Sequence, residues 1–138
     1  MAWLTFALLS AGFAAATAIL AKIGVQGVPS TLATAIRTSV ILPFTWALVL
    51  VAGEHRAAPH LSRKTLLFLG LSGIATGLSW LAYFRALQLG PASRVAPIDK
   101  LSLPLTIVLA VAFLHEPVTP RLALGVLLMA CGALLTIQ

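Results

Sequence analysis

The chain has 138 residues, of which 60% are hydrophobic and only 9% are charged, and its mean hydropathy is +1.06. A composition this apolar excludes a water-soluble globular domain and indicates an integral membrane protein. The net charge of +6 does not indicate a nucleic-acid partner, because the nine Lys and Arg residues are scattered among apolar segments and form no basic stripe.

Five apolar segments are long enough to cross a bilayer, since a helical span needs about 20 residues. We expect an all-α membrane protein with a single domain over residues 1–138 and spans at residues 2–22, 30–52, 65–89, 92–114 and 121–137. Ser30, directly after Pro29, is the predicted N-cap of the second helix. The first segment is predicted to be a span and not a cleaved leader, because no Lys or Arg lies between Met1 and the apolar stretch.

Three charged residues lie seven or more residues from the ends of their predicted spans. Arg37 lies about two turns into the second span, and Asp99 and Lys100 are adjacent in the fourth. An ionised side chain at the centre of a lipid-exposed helix costs about 2.5–3.5 kcal/mol, so such residues mark a functional core. Two alternatives remain open for Arg37: its side chain reaches the headgroups, or it faces inward as the partner of an acid. His55 and His60 are read as solvated loop residues, and no metal or cofactor is expected.

The third span carries two adjacent stripes at helical spacing. One is polar and consists of Ser72, Thr76, Ser79 and Tyr83. The other consists of Gly73, Gly77, Trp80 and Phe84. The two glycines predict close helix packing. Trp80 and Tyr83 are candidate substrate contacts, with core packing or an interfacial belt as the equal alternative.

The fourth span contains two prolines, Pro97 and Pro104, two turns apart. Each proline removes a backbone donor and leaves a carbonyl without its helical partner. Broken helices in transporters present such backbone to a site near the bilayer midplane, although a kink without any ligand is the alternative. Asp99 and Ser102 share a face of this span with Thr106 and are candidate site residues.

Several motifs together resemble a known family. They are residues 89–93 (Leu-Gly-Pro-Ala-Ser), 97–102 (Pro-Ile-Asp-Lys-Leu-Ser) and 113–120 (Phe-Leu-His-Glu-Pro-Val-Thr-Pro), and the glycines at 125 and 132 of the last span. A first helix rich in small residues that ends at Lys22, followed by Arg37 in the second helix, is similar to the start of the same unit. The chain resembles one EamA repeat of the drug/metabolite transporter superfamily over nearly its whole length.

The resemblance implies a function and an assembly. Most relatives carry two five-helix repeats in inverted orientation and move small metabolites or drugs outward, whereas this chain has one repeat. It therefore implies a secondary transporter or exporter of a small polar or amphipathic molecule in the cell inner (plasma) membrane. Alternating access would then require an antiparallel homodimer of ten helices. The alternative is a structural or accessory membrane subunit. An enzyme is not expected, because the spans hold no Ser/His, His-x-x-x-His or paired-acid constellation.

The distribution of basic residues bears on orientation, because the side with more Lys and Arg normally stays in the cytoplasm. One side of the membrane receives Arg56, Arg63, Lys64 and Arg121. The other receives Lys22, Arg37, Arg85, Arg94 and Lys100. The near-equal counts permit dual topology, with the loop at residues 56–64 in the cytoplasm if one orientation dominates.

The same counting places Arg37, Tyr83, Asp99 and Lys100 in one half of the membrane. The predicted substrate- or ion-binding residues are Arg37, Ser79, Trp80, Tyr83, Asp99, Lys100 and Ser102. We expect Asp99 to be a counter-ion for Arg37 or Lys100, with a proton carrier as the competing role.

Overall fold

The computed structural model describes the backbone of residues 2–137 and the side chains of residues 3–137. Within this range the chain is all helical, as predicted. The α-helices are α1 (Ala2–Gly24), α2 (Ser30–Val51), α3 (Arg63–Leu89), α4 (Ala92–Asp99), α5 (Ser102–Leu114) and α6 (Pro120–Leu135). A 3-10 segment, Glu54–His60, occupies the predicted hydrophilic loop and follows Gly53, whose φ is +72°.

Four stretches of the described chain are long and apolar enough to span a membrane: α1, α2, α3, and the combined stretch of α4 and α5. Helix α6 is apolar but has only 16 residues, which is about 24 Å at helical rise. The count of five spans therefore stays a prediction.

Local side-chain chemistry explains where two of these helices begin. The Ser62 hydroxyl accepts a hydrogen bond from the Thr65 N–H at 3.1 Å, directly before α3. Thr119 accepts from the Leu122 N–H at 3.2 Å, and Pro120 occupies the first turn of α6. Both are ordinary N-caps. The prediction that Ser30 caps α2 is wrong by one residue, because Pro29 holds the N-cap position without a side-chain bond.

The predicted fourth span is interrupted at Lys100 and Leu101, between α4 and α5. The hydrogen bonds across this point join each N–H to the carbonyl three residues earlier: Lys100 to Pro97 at 3.1 Å, Leu101 to Ile98 at 3.0 Å, and Leu103 to Lys100 at 3.0 Å. Pro104 has no N–H with which to reach the Lys100 carbonyl, so the regular pattern cannot continue. The regular α-helical pattern is therefore replaced between the two prolines by a 3-10 turn, in which Lys100 and Leu101 keep right-handed helical backbone angles.

The chain divides into two compact units, and its assignment to a single domain stays a prediction. Unit 1 comprises the segment up to Leu20 and the segment from Leu89 onward, and unit 2 comprises Ala21–Gln88. In unit 1, α4 and α5 both contact α6. The buried residues of unit 1 are the alanines Ala18 and Ala133. The buried residues of unit 2 are Val25, Thr34, Phe84 and Leu87.

Most large apolar side chains face outward. In α1 and α2, only 6% of the most apolar 18-residue stretch is buried within the chain. In α3 and in the α4–α5 stretch, none of it is buried. Such surface is stable against lipid or another helix but not against water. A Cβ on Gly73 or Gly77 would have no atom within 4 Å, so the close packing predicted for these glycines is not present within the described chain.

Candidate functional site

The packed face of α3 carries the best-defined side-chain cluster in unit 2. Trp80, Phe84, Leu87 and Gln88 lie at spacings of four, three and one, which places them along one side of the helix. Leu87 is fully buried and Phe84 is 2% exposed, while Trp80 and Gln88 are half-buried. This face therefore holds unit 2 together and fixes the side chains beside it.

Arg37 of α2 lies on this face. Its guanidinium carbon is 4.3 Å from the centroid of the Trp80 ring and 5.5 Å from that of Phe84. Tyr83 is within electrostatic reach of the same group, and its ring centroid is 6.3 Å from that of Phe84. The structure thus brings together three of the predicted site residues, Arg37, Trp80 and Tyr83. We call this set, with Phe84, the arginine–aromatic cluster.

The cluster offsets only part of the cost of a cation inside a span. Arg37 lies seven residues after Ser30, about 10 Å along α2. An ionised side chain at the centre of a membrane-spanning helix costs about 2.5–3.5 kcal/mol. A desolvated cation–π contact stabilises it by about 2 kcal/mol at most. Neither alternative predicted for Arg37 includes these aromatic contacts, because ring stacking depends on which residues of α3 meet α2.

At the end of α3, one backbone carbonyl and one side chain form hydrogen bonds with residues far away in sequence. The Lys22 ammonium donates to the Leu87 carbonyl. The Gln88 amide donates to the Val28 carbonyl and, at 3.3 Å, to the Val25 carbonyl. We call these contacts the α3 clasp. The sequence analysis missed Gln88; its only signal was an amide side chain at the end of an otherwise apolar span.

Arg85 adds a polar feature to the clasp. Its Nη1 donates to the Gln88 Oε1 at 3.1 Å. Arg85 and Gln88 line a cavity of about 350 Å³ together with Gly27, Val28 and Pro29. Gly27 has a φ of +72°, a left-handed conformation that glycine adopts without strain.

In unit 1, Asp99 and Lys100 form an ion pair. The Lys100 Nζ lies 3.3 Å from the Asp99 Oδ2, at the break between α4 and α5. The side chains are 35% exposed for Asp99 and 55% for Lys100. Of the two counter-ions predicted for Asp99, the contact that the structure shows is with Lys100.

The remaining predicted site residues are hydroxyls. Ser79 is exposed on α3. Ser102 is exposed and is the first residue of α5, and its carbonyl accepts from the Thr106 hydroxyl at 2.8 Å. Their role as substrate contacts stays a prediction.

Comparison with known proteins identifies the family. The EamA-like transporter family model matches residues 1–138. A protein of Sinorhizobium sp named "Uncharacterized transporter in cobO 3'region" is 52% identical over 133 residues, which covers 96% of this chain and 94% of that protein. No solved structure matches the chain significantly.

These matches, with the four apolar stretches described above, indicate a multi-pass transporter of the plasma membrane and point to transport rather than enzymatic activity. The resemblance found in the sequence motifs is confirmed: the chain belongs to the EamA-like transporter family.

Proposed function

We propose that the chain is a secondary transporter that exports a small polar or amphipathic molecule by alternating access as a homodimer. The observation that carries the proposal is the break at Lys100 and Leu101 within an apolar span of a transporter-family chain. The break lies eight residues beyond Ala92, about 12 Å into a hydrocarbon layer about 30 Å thick.

A 3-10 turn inside an apolar span supports transport because such a turn often marks a functional hinge or a strained sequence, and this one lies between two prolines. Pro97 and Pro104 each lack the N–H that would pair with a carbonyl one turn earlier. The Asp99–Lys100 pair adds two ionised groups at the same level. Discontinuous helices with these properties form the substrate and ion sites of secondary transporters.

The predicted number of spans and the exposed apolar surface support the dimer. With five spans, one repeat has its ends on opposite sides of the membrane, so an inverted pair requires a second copy inserted upside down. The near-equal distribution of Lys and Arg supports both orientations. The outward-facing apolar surface and the open glycines of α3 leave room for a second copy.

Transport is tested with the purified chain in proteoliposomes, using radiolabelled amino acids, aromatic carboxylates and quaternary ammonium compounds. We expect saturable uptake of at least one class, and its loss when Pro97 and Pro104 are both replaced by alanine. Pro43→Ala is the matched control, because Pro43 lies within the continuous helix α2. If no compound moves while the chain remains folded and dimeric, the accessory-subunit alternative replaces the proposal.

Topology is tested with one introduced cysteine. Cys131 is the chain's single cysteine, so Cys131→Ser provides a background for Ala57→Cys in the exposed 3-10 segment. In intact cells, a membrane-impermeant maleimide should label about half of the molecules. Labelling of all or none of them would rule out the dual-topology dimer.

A further inference from the structure

The arginine–aromatic cluster holds the guanidinium of Arg37, a half-buried residue, against two aromatic rings. The Trp80 ring lies against the guanidinium, 4.3 Å from its carbon. The five N–H donors of an arginine point outward from the edge of the planar group. Among the described residues of unit 2 the structure shows no hydrogen bond or ion pair from the Arg37 side chain, which interacts electrostatically with Tyr83. The cluster therefore orients an arginine without satisfying its donors.

The acidic residues of this chain are either exposed or paired with a lysine. The chain has three acidic residues. Glu54 is exposed in the 3-10 segment, Glu116 is exposed after α5, and Asp99 pairs with Lys100. A cation inside a span normally requires an anionic partner. Glu54 is the one acid of unit 2, so an external anion would supply the partner that this unit does not.

An arginine stacked on an aromatic ring is suited to binding a carboxylate or a phosphate group. The planar guanidinium matches the two oxygens of a carboxylate or phosphate through parallel hydrogen bonds, and a ring on its face restricts its orientation. Val40, one turn further along α2, is an exposed apolar side chain that an attached hydrocarbon body could contact. A cation beside an exposed apolar side chain matches an amphipathic anion.

We propose that Arg37, held on the rings of Trp80 and Phe84, binds the carboxylate or phosphate group of an amphipathic organic anion, and that this anion is the transported molecule. The identification of the anion as cargo rests on the transport function proposed above. The same headgroup chemistry occurs in anionic lipids, so the test separates a small molecule from a lipid.

Binding is measured with the chain in phosphatidylcholine nanodiscs. The chain has three tryptophans, so Trp3→Phe with Trp46→Phe leaves Trp80 as the only one. Benzoate should change the Trp80 emission saturably, whereas benzamide and benzylammonium should not. Equal or tighter binding of benzylammonium would overturn the proposal.

Substitutions then assign the effect to Arg37. Arg37→Gln should weaken benzoate binding on the order of 10- to 100-fold, because it removes a charge-assisted hydrogen-bonded contact. Arg37→Lys should weaken it less, since it keeps the charge but loses the planar fork. It also serves as the informative variant if Arg37→Gln does not fold. Arg56→Gln, at an exposed arginine of the 3-10 segment, is the control and should leave binding unchanged. Unchanged affinity in both Arg37 variants would overturn the proposal.

Two further measurements distinguish a small-molecule ligand from a lipid, and anion binding from transport. Nanodiscs containing phosphatidylglycerol should leave benzoate affinity within about 3-fold, whereas loss of binding through lipid competition would overturn the small-molecule assignment. In proteoliposomes, Arg37-dependent benzoate uptake supports the whole proposal. Benzoate binding without uptake overturns the cargo assignment and leaves the anion site. Uptake of other compounds independently of Arg37 overturns the anion inference and leaves transport itself intact.

Discussion

Replacing Gln88 with leucine should lower the free energy of unfolding by about 1–3 kcal/mol. The Gln88 amide donates to the carbonyls of Val25 and Val28. Each such bond contributes about 0.5–1.5 kcal/mol net, and an acceptor left unpaired in a poorly solvated place adds to the loss. Val25 is 2% exposed, so water has little access there. The Arg85 bond is exposed and should contribute little.

The loss can be measured by titrating detergent-solubilised protein with SDS and following tryptophan fluorescence. Gln26→Leu is the matched control, because Gln26 is an exposed glutamine in the same connection between α1 and α2. Gln88→Glu should be less stable than Gln88→Leu, since a carboxylate places negative oxygen against two carbonyls. Equal stability of Gln88→Leu and the unsubstituted chain, or equal losses for Gln88→Leu and Gln26→Leu, would refute the role of the α3 clasp.

Three smaller effects can be measured by the same SDS titration. Asp99→Asn should cost less than about 1 kcal/mol if its partly exposed ion pair with Lys100 faces the water-filled cavity of the proposed transporter; a loss above about 3 kcal/mol would show that assembly buries the pair. His115→Gly should raise stability by roughly 0.5–1 kcal/mol, because His115 holds a left-handed φ of 55°, and no gain would argue against this backbone conformation. Thr119→Ala should cost about 1 kcal/mol through loss of the α6 cap, whereas Thr5→Ala within α1 should cost clearly less.

The sequence predicts features that depend on composition and on neighbouring residues. Apolar runs bounded by Gly, Pro and charged residues locate the helices, because lipid requires each backbone segment to satisfy its own hydrogen bonds. The break at Lys100 follows from Pro97 and Pro104, since a missing N–H acts within one helical turn. The family motifs around the same break carried the resemblance that the comparisons confirm.

Features that join distant segments were not predictable in this way. Lys22 and Leu87 are 65 positions apart, and Gln88 reaches Val28 across 60. No local spacing encodes which carbonyl such a side chain will meet. Arg37 shows the same limit: its depth in α2 follows from the sequence, but its contact with Trp80 depends on how two helices pack.

The length of α6 has a consequence for the lipid in which the protein works. In the proposed five-span arrangement, a helix of 16 residues reaches about 24 Å, while the uncharged stretch of α3 between Lys64 and Arg85 has 20 residues and reaches about 30 Å. Helices that fit different bilayer thicknesses are accommodated by tilting the longer one or thinning the membrane around the shorter one, at fractions of a kcal/mol per Å. Acyl-chain length should therefore bias the tilt of α3 and the depth at which α6 sits, so that bilayer thickness becomes a control on this protein separate from any ligand.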